Sequence, residues 1–429
     1  MKYSDIDVLE INKILFIVKE KQPSLFKQIC IFIGQLFYYT FVIHFKYKEL
    51  PKNYKGLLFF GLSLNNQRSL EPIIENITDD TYLYLHNHTT DVHKRRAWWH
   101  CIPYLFTLIS LYKKSDKDTK SLIIRHFTSL WTTYGLYEVA RETLEHYKVK
   151  VLVVSNDHND INRCLIYNAK ALNIKTVYVQ HASVKKGFPQ LEFSYSFLDG
   201  KESLEKYLLD GQPLGEVYLS GGVRFDLIYE KIRKREGDVK RIGIAINMLD
   251  DFEKVKSLCN MLKNNGFNDL ILRPHPRYKH LDTEWLLSNG IAISSPKEES
   301  SFDFIAKIDF MISNESAIHL DSAIMYCPSV LYNMSNNVVL DDYGFVAKGL
   351  TKLATDEPSL LQSIVNHKEM MPARDVIRYY NASSGTHLEG KLGVAIAGFI
   401  ENLAAGSESD FDKKNGFMKT TEYLHEIDL

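Results

Sequence analysis

The sequence predicts an α/β protein of two domains, each built on a parallel sheet with helices on both faces. Three observations predict it. From residue 55 onward, short apolar runs rich in β-branched and aromatic residues alternate with longer segments of helical periodicity. That alternation implies parallel strands joined by crossover helices. It restarts after the charged, glycine-containing stretch IYEKIRKREGDVKR at 228–241, which reads as a linker. A chain of 429 residues is also too long for one ordinary domain and suits two.

Composition narrows the function classes. Apolar residues make up 45% and charged residues 24%, the balance of a soluble globular protein. A formal net charge of −1 supplies no basic field, so no nucleic-acid partner is expected. Cys30, Cys101, Cys164, Cys259 and Cys327 are scattered and form no cluster with histidine. Neither a zinc site nor a disulfide framework is expected, and free thiols suit a reducing, cytoplasmic setting. The opening MKYSDIDVLEINK lacks the pattern of a secretory signal.

Residues 1–55 form an N-terminal helical segment. Within it, ICIFIGQLFYYTFVIHF (29–45) is nearly continuous apolar and aromatic, flanked by Lys27, Lys46 and Lys48 and interrupted by Gln35 and His44. At 17 residues it sits at the short limit of a membrane span. A buried helix is the first reading, and a basic-flanked helix resting peripherally on a membrane surface the second. The first domain, 56–228, offers GLLFFG and TYLYLH as strands, helices over 96–147, the strand VKVLVVS, the helix INRCLIYNAKAL, and strands in KTVYVQ, EFSYSFLDG and GEVYLSGG. The second, 229–404, opens with the strand RIGIAIN, followed by a helix closed by Gly266. Strands in DLILRP, IAISS, DFMIS and PSVLYN then alternate with helices, and helices near 358–369 and 388–404 close the domain. Residues 405–429 are polar and read as a loose tail.

In such sheets ligands bind outside the carboxyl ends of the strands. The first domain places Asn65, Asn66, Gln67, Arg68, His86, Asn87, His88, Asn156, Asp157, His158, Gln180 and His181 there; the second places Asn247, Arg273, His275, Arg277, Ser313, Asn314, Glu315 and Ser316. Packing does not require His, Asp, Asn and Arg at strand ends, whereas a phosphorylated, hydroxylated substrate does. In ILRPHPR (271–277) the prolines fix the backbone of His275, and Arg273 and Arg277 add positive potential for an anion. Ser313 and Ser316 are expected at a helix N-terminus, where free N–H groups favour an anion, and Asp321 on that helix can accept ribose hydroxyls. No Walker loop appears and no GxGxxG follows a strand, which argues against ATP or NAD as substrate. The LDD at 249–251 opens a helix, where acidic residues are expected anyway. No metal and no cofactor are expected.

The order HP, strand, S-x-x-S, helix with an acidic residue, then Pro resembles the nucleotide half of GT-B glycosyltransferases that use CMP-activated sugars. These include bacterial sialyltransferases and Kdo transferases of capsule and lipopolysaccharide assembly. Teichoic-acid-type transferases, which use CDP-glycerol or CDP-ribitol, share much of the pattern. The resemblance covers roughly residues 150–350. YVQHASVKKGFP (178–189) resembles a QHG segment with Ala182 in the glycine's place, and VYLSGGVRFD (217–226) resembles an interdomain G-x-x-R-x-D segment. The resemblance implies a GT-B fold of two facing Rossmann-like domains, acceptor N-terminal and donor C-terminal. It also implies His275 and Ser316 on the CMP phosphate and Asp321 on the ribose.

An inverting transfer needs a group to take the acceptor proton. Asp157, in SNDHND, is the expected base, with His181 or His158 orienting it or contacting phosphate. A helix N-cap is the structural alternative for Asp157. Asn66, Arg68 and Arg163 are the candidate acceptor binders. The expected function is metal-independent, inverting transfer of a sugar acid, Kdo or sialic-type, from a CMP-activated donor to a surface polysaccharide or lipopolysaccharide acceptor. A CDP-polyol phosphotransferase is the runner-up. A nucleotide-sugar 2-epimerase, which needs a different carboxylate constellation, ranks third, and a non-catalytic GT-B-like assembly protein is the alternative from another class.

Overall fold

A computed structural model describes residues 6–16, 22–42, 47–86, 94–184, 186–233, 235, 237–407, 417–419 and 424–427. The chain forms two compact units, Met1–Arg224 with Lys391–Leu429, and Phe225–Gly390.

The first unit carries β1 (Leu57–Phe60), β2 (Tyr82–Leu85), β3 (Val151–Val154), β4 (Lys175–Val179), β5 (Tyr195–Leu198) and β6 (Glu216–Leu219). The second carries β7 (Arg241–Ile246), β8 (Asp269–Pro274), β9 (Ala292–Ile293), β10 (Phe310–Ser313), β11 (Ser329–Tyr332) and β12 (Lys352–Ala354). β13 (Phe417–Lys419) and β14 (Leu424–Ile427) return to the first sheet, whose order is β13-β14-β6-β5-β4-β3-β1-β2. Every described pairing is parallel except β13 with β14. β1, β3 and β5 are buried at every position, which is how strands covered on both faces read. On the helical layer, Phe127–His146 packs against Lys94–His100 so closely that a Cβ on Gly135 would lie 1.9 Å from the Ala97 carbonyl oxygen.

The second sheet runs β12-β11-β10-β7-β8-β9. Counted from its own first strand this is 3-2-1-4-5-6, a doubly wound order. Its faces separate by alternation. Ile242, Ile244, Ile246, Leu270, Leu272 and Ile312 join one core, while Ala245, Ile271 and Met311 join the other with Phe304, Ile305 and Ile308. Gly243 lets Ile308 and Phe304 approach, since a Cβ there would lie 2.5 Å and 2.7 Å from them.

Four expectations change. The stretch 228–241 is no free linker: Arg233 donates to the carbonyls of Ala306 and Ile308 and to Asp309, and Arg235 to those of Ile305, Ile308 and Met325. The helix Leu392–Ala404 belongs to the first unit, not the second. Its apolar stripe puts Phe399 against Tyr195, Phe197 and Tyr218 at ring distances of 5.0–5.8 Å, and Gly393 close to the Pro72 carbonyl. The polar tail contributes β13 and β14, which pair along the β6 edge and satisfy its backbone. His425 in β14 stacks on Tyr218 at 4.5 Å and bonds Glu216 at 2.9 Å.

The fourth concerns the apolar N-terminal run. It forms the helix Leu25–Phe41, but only Gln28 and Phe32 of it are buried. A wholly buried helix is therefore excluded, and no helix among the described residues is long and apolar enough to cross a membrane. Residues 43–46 lie outside the described residues.

Candidate functional site

In the first sheet the strand order reverses between β1 and β3, the point where doubly wound sheets open a crevice. Asn66 and Ser155 lock that point: the Ser155 hydroxyl donates to the Asn66 carbonyl at 3.0 Å, and the Asn66 amide to the Ser155 carbonyl at 3.4 Å. Asn66 also closes a capping box with Ser63. It is buried and structural rather than open to an acceptor, whereas Arg68 on the same helix is exposed. His86 is exposed, and Asn87 and His88 lie outside the described residues.

After β3 the chain turns on Asn156, whose side-chain oxygen accepts from the N–H groups of His158 and Asn159 at 3.1 Å and 3.0 Å. Asn159 caps the helix Asp160–Ala171, so Asp157 is no cap. Asp157 is 1% exposed and both its oxygens are engaged. One meets His158 Nδ1 at 2.8 Å; the other accepts from the Tyr207 hydroxyl at 2.5 Å, and Tyr207 in turn meets the Tyr178 hydroxyl at 3.1 Å. Burial pushes the Asp157 pKa up, but the His158 bond and charge, the Tyr207 bond and the His181 charge outweigh it and hold the carboxyl below its ordinary value. Asp157 is thus an ionised, enclosed carboxylate whose two oxygens already serve His158 and Tyr207, rather than the helix cap that was its structural alternative. The partly exposed group of the pair is His158, whose Nε2 lies on the ring edge away from Asp157.

His181 follows β4, with its ring 6.1 Å from that of His158. Burial lowers its pKa to about 4 although the Asp157 charge opposes this, so the ring is neutral at pH 7. Its Nδ1 has no hydrogen-bond partner among the described residues. Gln180 braces the loop by donating to the Ala182 carbonyl at 2.9 Å and the Ser203 hydroxyl at 2.8 Å. Ala182 has no left-handed backbone, so the position does not require glycine. Arg224, in the GGVRFD segment, forks onto the buried Asp199 at 3.0 Å and 2.5 Å. Arg163 cannot serve an acceptor as it stands. It is 1% exposed, with Glu192 at 3.2 Å and Glu10 at 3.8 Å meeting its charge.

In the second sheet the order reverses between β7 and β10. Asn247 spans the gap: its amide donates to the Glu315 carbonyl at 3.3 Å and its oxygen accepts from the Leu249 N–H at 2.8 Å. Ser313 ends β10, buried, with its hydroxyl on the Ala245 carbonyl at 2.8 Å; it braces two strands and does not open a helix. The helix proper is Ile318–Ile324, and Ser316, two residues before it, accepts from the Ile318 N–H at 3.4 Å. Asp321 accepts from Ser301 at 3.1 Å. Arg273 donates to Ser294 at 2.8 Å and the Glu299 carbonyl at 3.1 Å, so its fork holds the loop after β9. Its pKa is lowered by burial, against the opposing charges of Glu299, Asp303 and Asp321. His275 is half-buried just past β8, and its Nδ1 accepts from the Arg277 N–H at 3.2 Å. Burial and the Arg277 charge lower its pKa, favouring the neutral ring. With Nδ1 accepting, the ring proton of neutral His275 sits on Nε2.

Two residues escaped the sequence reading. Tyr207 sits on the buried stripe of the helix Lys201–Leu208 beside Leu204, where the periodicity signals only core. Asp250 hid in LDD: Asp251 caps the helix, but buried Asp250 accepts from Asn314 at 2.7 Å and the Asn247 N–H at 2.6 Å, tying the β7 and β10 loops. Its polar neighbours in NMLDD and SNES were the available signal.

No protein-family model and no curated protein matches the chain. Solved structures do. A UDP-N-acetylglucosamine 2-epimerase is similar with a TM-score of 0.51 at 14% identity, over 83% of this chain and 98% of that one. The UDP-GlcNAc 2-epimerase of Neisseria meningitidis gives 0.51 at 13%, over 81% and 99%. The wall teichoic acid polymerase TagF gives 0.48 at 12%, over 89% and 98%. At such identities likeness speaks to fold. Together with the two sheets, the epimerase similarities show the α/β architecture of two Rossmann-like domains that the strand–helix alternation predicts.

Proposed function

We propose that the protein is an inverting glycosyltransferase. It moves a sugar acid, Kdo or sialic-type, from a CMP-activated donor to a surface polysaccharide or lipopolysaccharide acceptor, working peripherally at the inner face of the cytoplasmic membrane. The observation that carries the reading is the Asp157–His158 pair at the reversal point of the first sheet, 2.8 Å between carboxylate and Nδ1. The buried carboxylate holds the Nδ1 proton in place, leaves the Nε2 lone pair free, and stabilises the imidazolium formed when that lone pair takes a proton. His158 is then the base, Asp157 positions it, and Tyr207 fixes Asp157.

The acceptor hydroxyl loses its proton to His158 Nε2 as its oxygen bonds to the anomeric carbon. The bond from that carbon to the CMP phosphate oxygen breaks, and the phosphate leaves with the electron pair. In the second unit, His275 through Nε2–H, Arg277 and Ser316 supply donors for the leaving charge, and Asp321 is the carboxylate assigned to the ribose. Asn247, Arg273 and Ser313 shape these loops from behind. Neutral His181 can donate to or accept from the acceptor beside His158.

A thermal-shift series with CMP, CDP, UDP and GDP tests the donor. CMP and CDP are expected to stabilise the protein, by about 2.7 kcal/mol at a hundredfold excess over Kd. Stabilisation by UDP or GDP with none by CMP or CDP overturns the cytidine assignment. A response to CDP well above that to CMP favours a CDP-polyol donor instead.

A further inference from the structure

The helix Leu25–Phe41 is turned inside out. Its inward face holds Phe32, stacked on Trp131 at 4.3 Å, and Gln28, whose amide donates to the carbonyls of Pro23, Ile124 and Arg125 at 3.0, 3.2 and 2.8 Å. Its outward stripe is Phe26, Ile29, Ile33, Phe37 and Phe41, from 37% exposed at Ile29 to 78% at Phe26. A helix facing water shows the reverse pattern, and a continuous exposed apolar stripe marks an interaction surface. Trp99 ties the neighbouring segment to this helix through its indole N–H on the Thr40 hydroxyl at 2.9 Å. That segment exposes its own apolar row, Trp99, Ile102, Phe106 and Ile109, with Phe106 at 80%.

Charge decides what covers these residues. Residues 25–42 and 94–114 contain six Lys and Arg and no Asp or Glu, in a chain whose totals are 52 and 53. Of these, Lys27, Lys113 and Lys114 are exposed, while Arg96 is paired with Glu142 at 2.9 Å. A two-fold contact with a second copy would set these like charges against each other, whereas an anionic headgroup layer neutralises them while the aromatic rings enter the acyl boundary.

We infer that the helix Leu25–Phe41 docks flat on an anionic lipid bilayer, with the 94–114 segment beside it. Through Ile31, Gln35 and Tyr39 the helix also lines a pocket of about 350 Å³, shared with Trp98 of the neighbouring segment. The docking does not depend on the functional reading above.

Co-sedimentation of the full chain with phosphatidylcholine vesicles, with and without phosphatidylglycerol, tests the docking. The chain is expected to pellet with the anionic vesicles, less so at high salt. The variant Ile33→Ser/Phe37→Ser/Phe41→Ser should lose at least about tenfold in partitioning, with its melting temperature and its shift by CMP unchanged. A wild-type chain that stays in the supernatant with anionic vesicles overturns the docking, as does a variant that pellets as well as wild type. A concentration-dependent dimer abolished by the same substitutions assigns the face to a second copy instead. CMP response without vesicle binding defeats the docking alone, and vesicle binding without CMP response defeats the donor assignment alone.

Discussion

At the scale of residues, the question is which member of the Asp157–His158 pair does the chemistry. The carboxylate is enclosed between His158 and Tyr207, and on the proposed function it acts through the imidazole. His158→Ala should lower turnover by about 10²–10⁴-fold, the usual worth of a positioned base, and leave the CMP-induced melting shift intact. Asp157→Asn should also lower kcat with KM nearly unchanged, because it disturbs the tautomer rather than binding. His275→Ala should weaken both CMP binding and turnover, since its donor serves ground and transition states alike. Near wild-type turnover in His158→Ala would move the base to His181. SNDHND marked this site in the sequence because polar residues there follow an apolar strand. The partner that encloses Asp157 was invisible, since Tyr207 lies 50 residues away on a stripe that reads as core.

At the scale of elements, glycine contacts separate close approach from mere permissiveness. Gly135 lies in the middle of a 20-residue helix, where glycine costs about 1 kcal/mol against alanine, yet a Cβ there would meet the Ala97 backbone at 1.9 Å. Gly135→Ala should therefore destabilise by about 1–3 kcal/mol through overpacking, despite better helix propensity. Gly398, in the helix Leu392–Ala404, has nothing within 4 Å of a built Cβ. Gly398→Ala should raise stability by up to about 1 kcal/mol. Urea unfolding of the two variants checks the sign in each case; equal signs would show that backbone contact is not what places glycine at 135.

At the scale of the whole molecule, each unit holds a histidine whose pKa the fold lowers strongly. Burial brings both His181, in the first unit, and His319, in the second, to about 4. His319 bonds the Ser329 hydroxyl at 3.0 Å and the Asn314 carbonyl at 3.1 Å. Between pH 6.5 and about 4 the unfolded chain takes up these protons and the folded chain does not, so stability falls as pH falls through that window. Each of these two histidines should contribute up to one proton to the slope, about 1.4 kcal/mol per pH unit. Urea midpoints for each transition from pH 7 to 4.5 measure it, and flat midpoints over that range would contradict it.

The sequence by itself determined the elements and the ends where chemistry gathers. Strand burial on both faces leaves a continuous apolar run, helices leave a 3.6-residue stripe, and polar residues at strand ends stand out because packing does not need them. These signals are local, and the eleven strands of PSVLYN and its predecessors all appear in the two sheets. Only the tertiary structure decided which sheet an element joins and which polar group stays free. The stripe of Leu392–Ala404 would fit any apolar sheet face, and the rings of Tyr195, Phe197 and Tyr218 took it for the first unit. β14 is too polar to announce itself and is held by the open edge of β6. Arg163 reads as a surface cation until Glu192 and Glu10 arrive from distant segments to bury it. Burial and pairing are long-range properties, set by what the folded chain brings alongside a residue, and no window of sequence contains them.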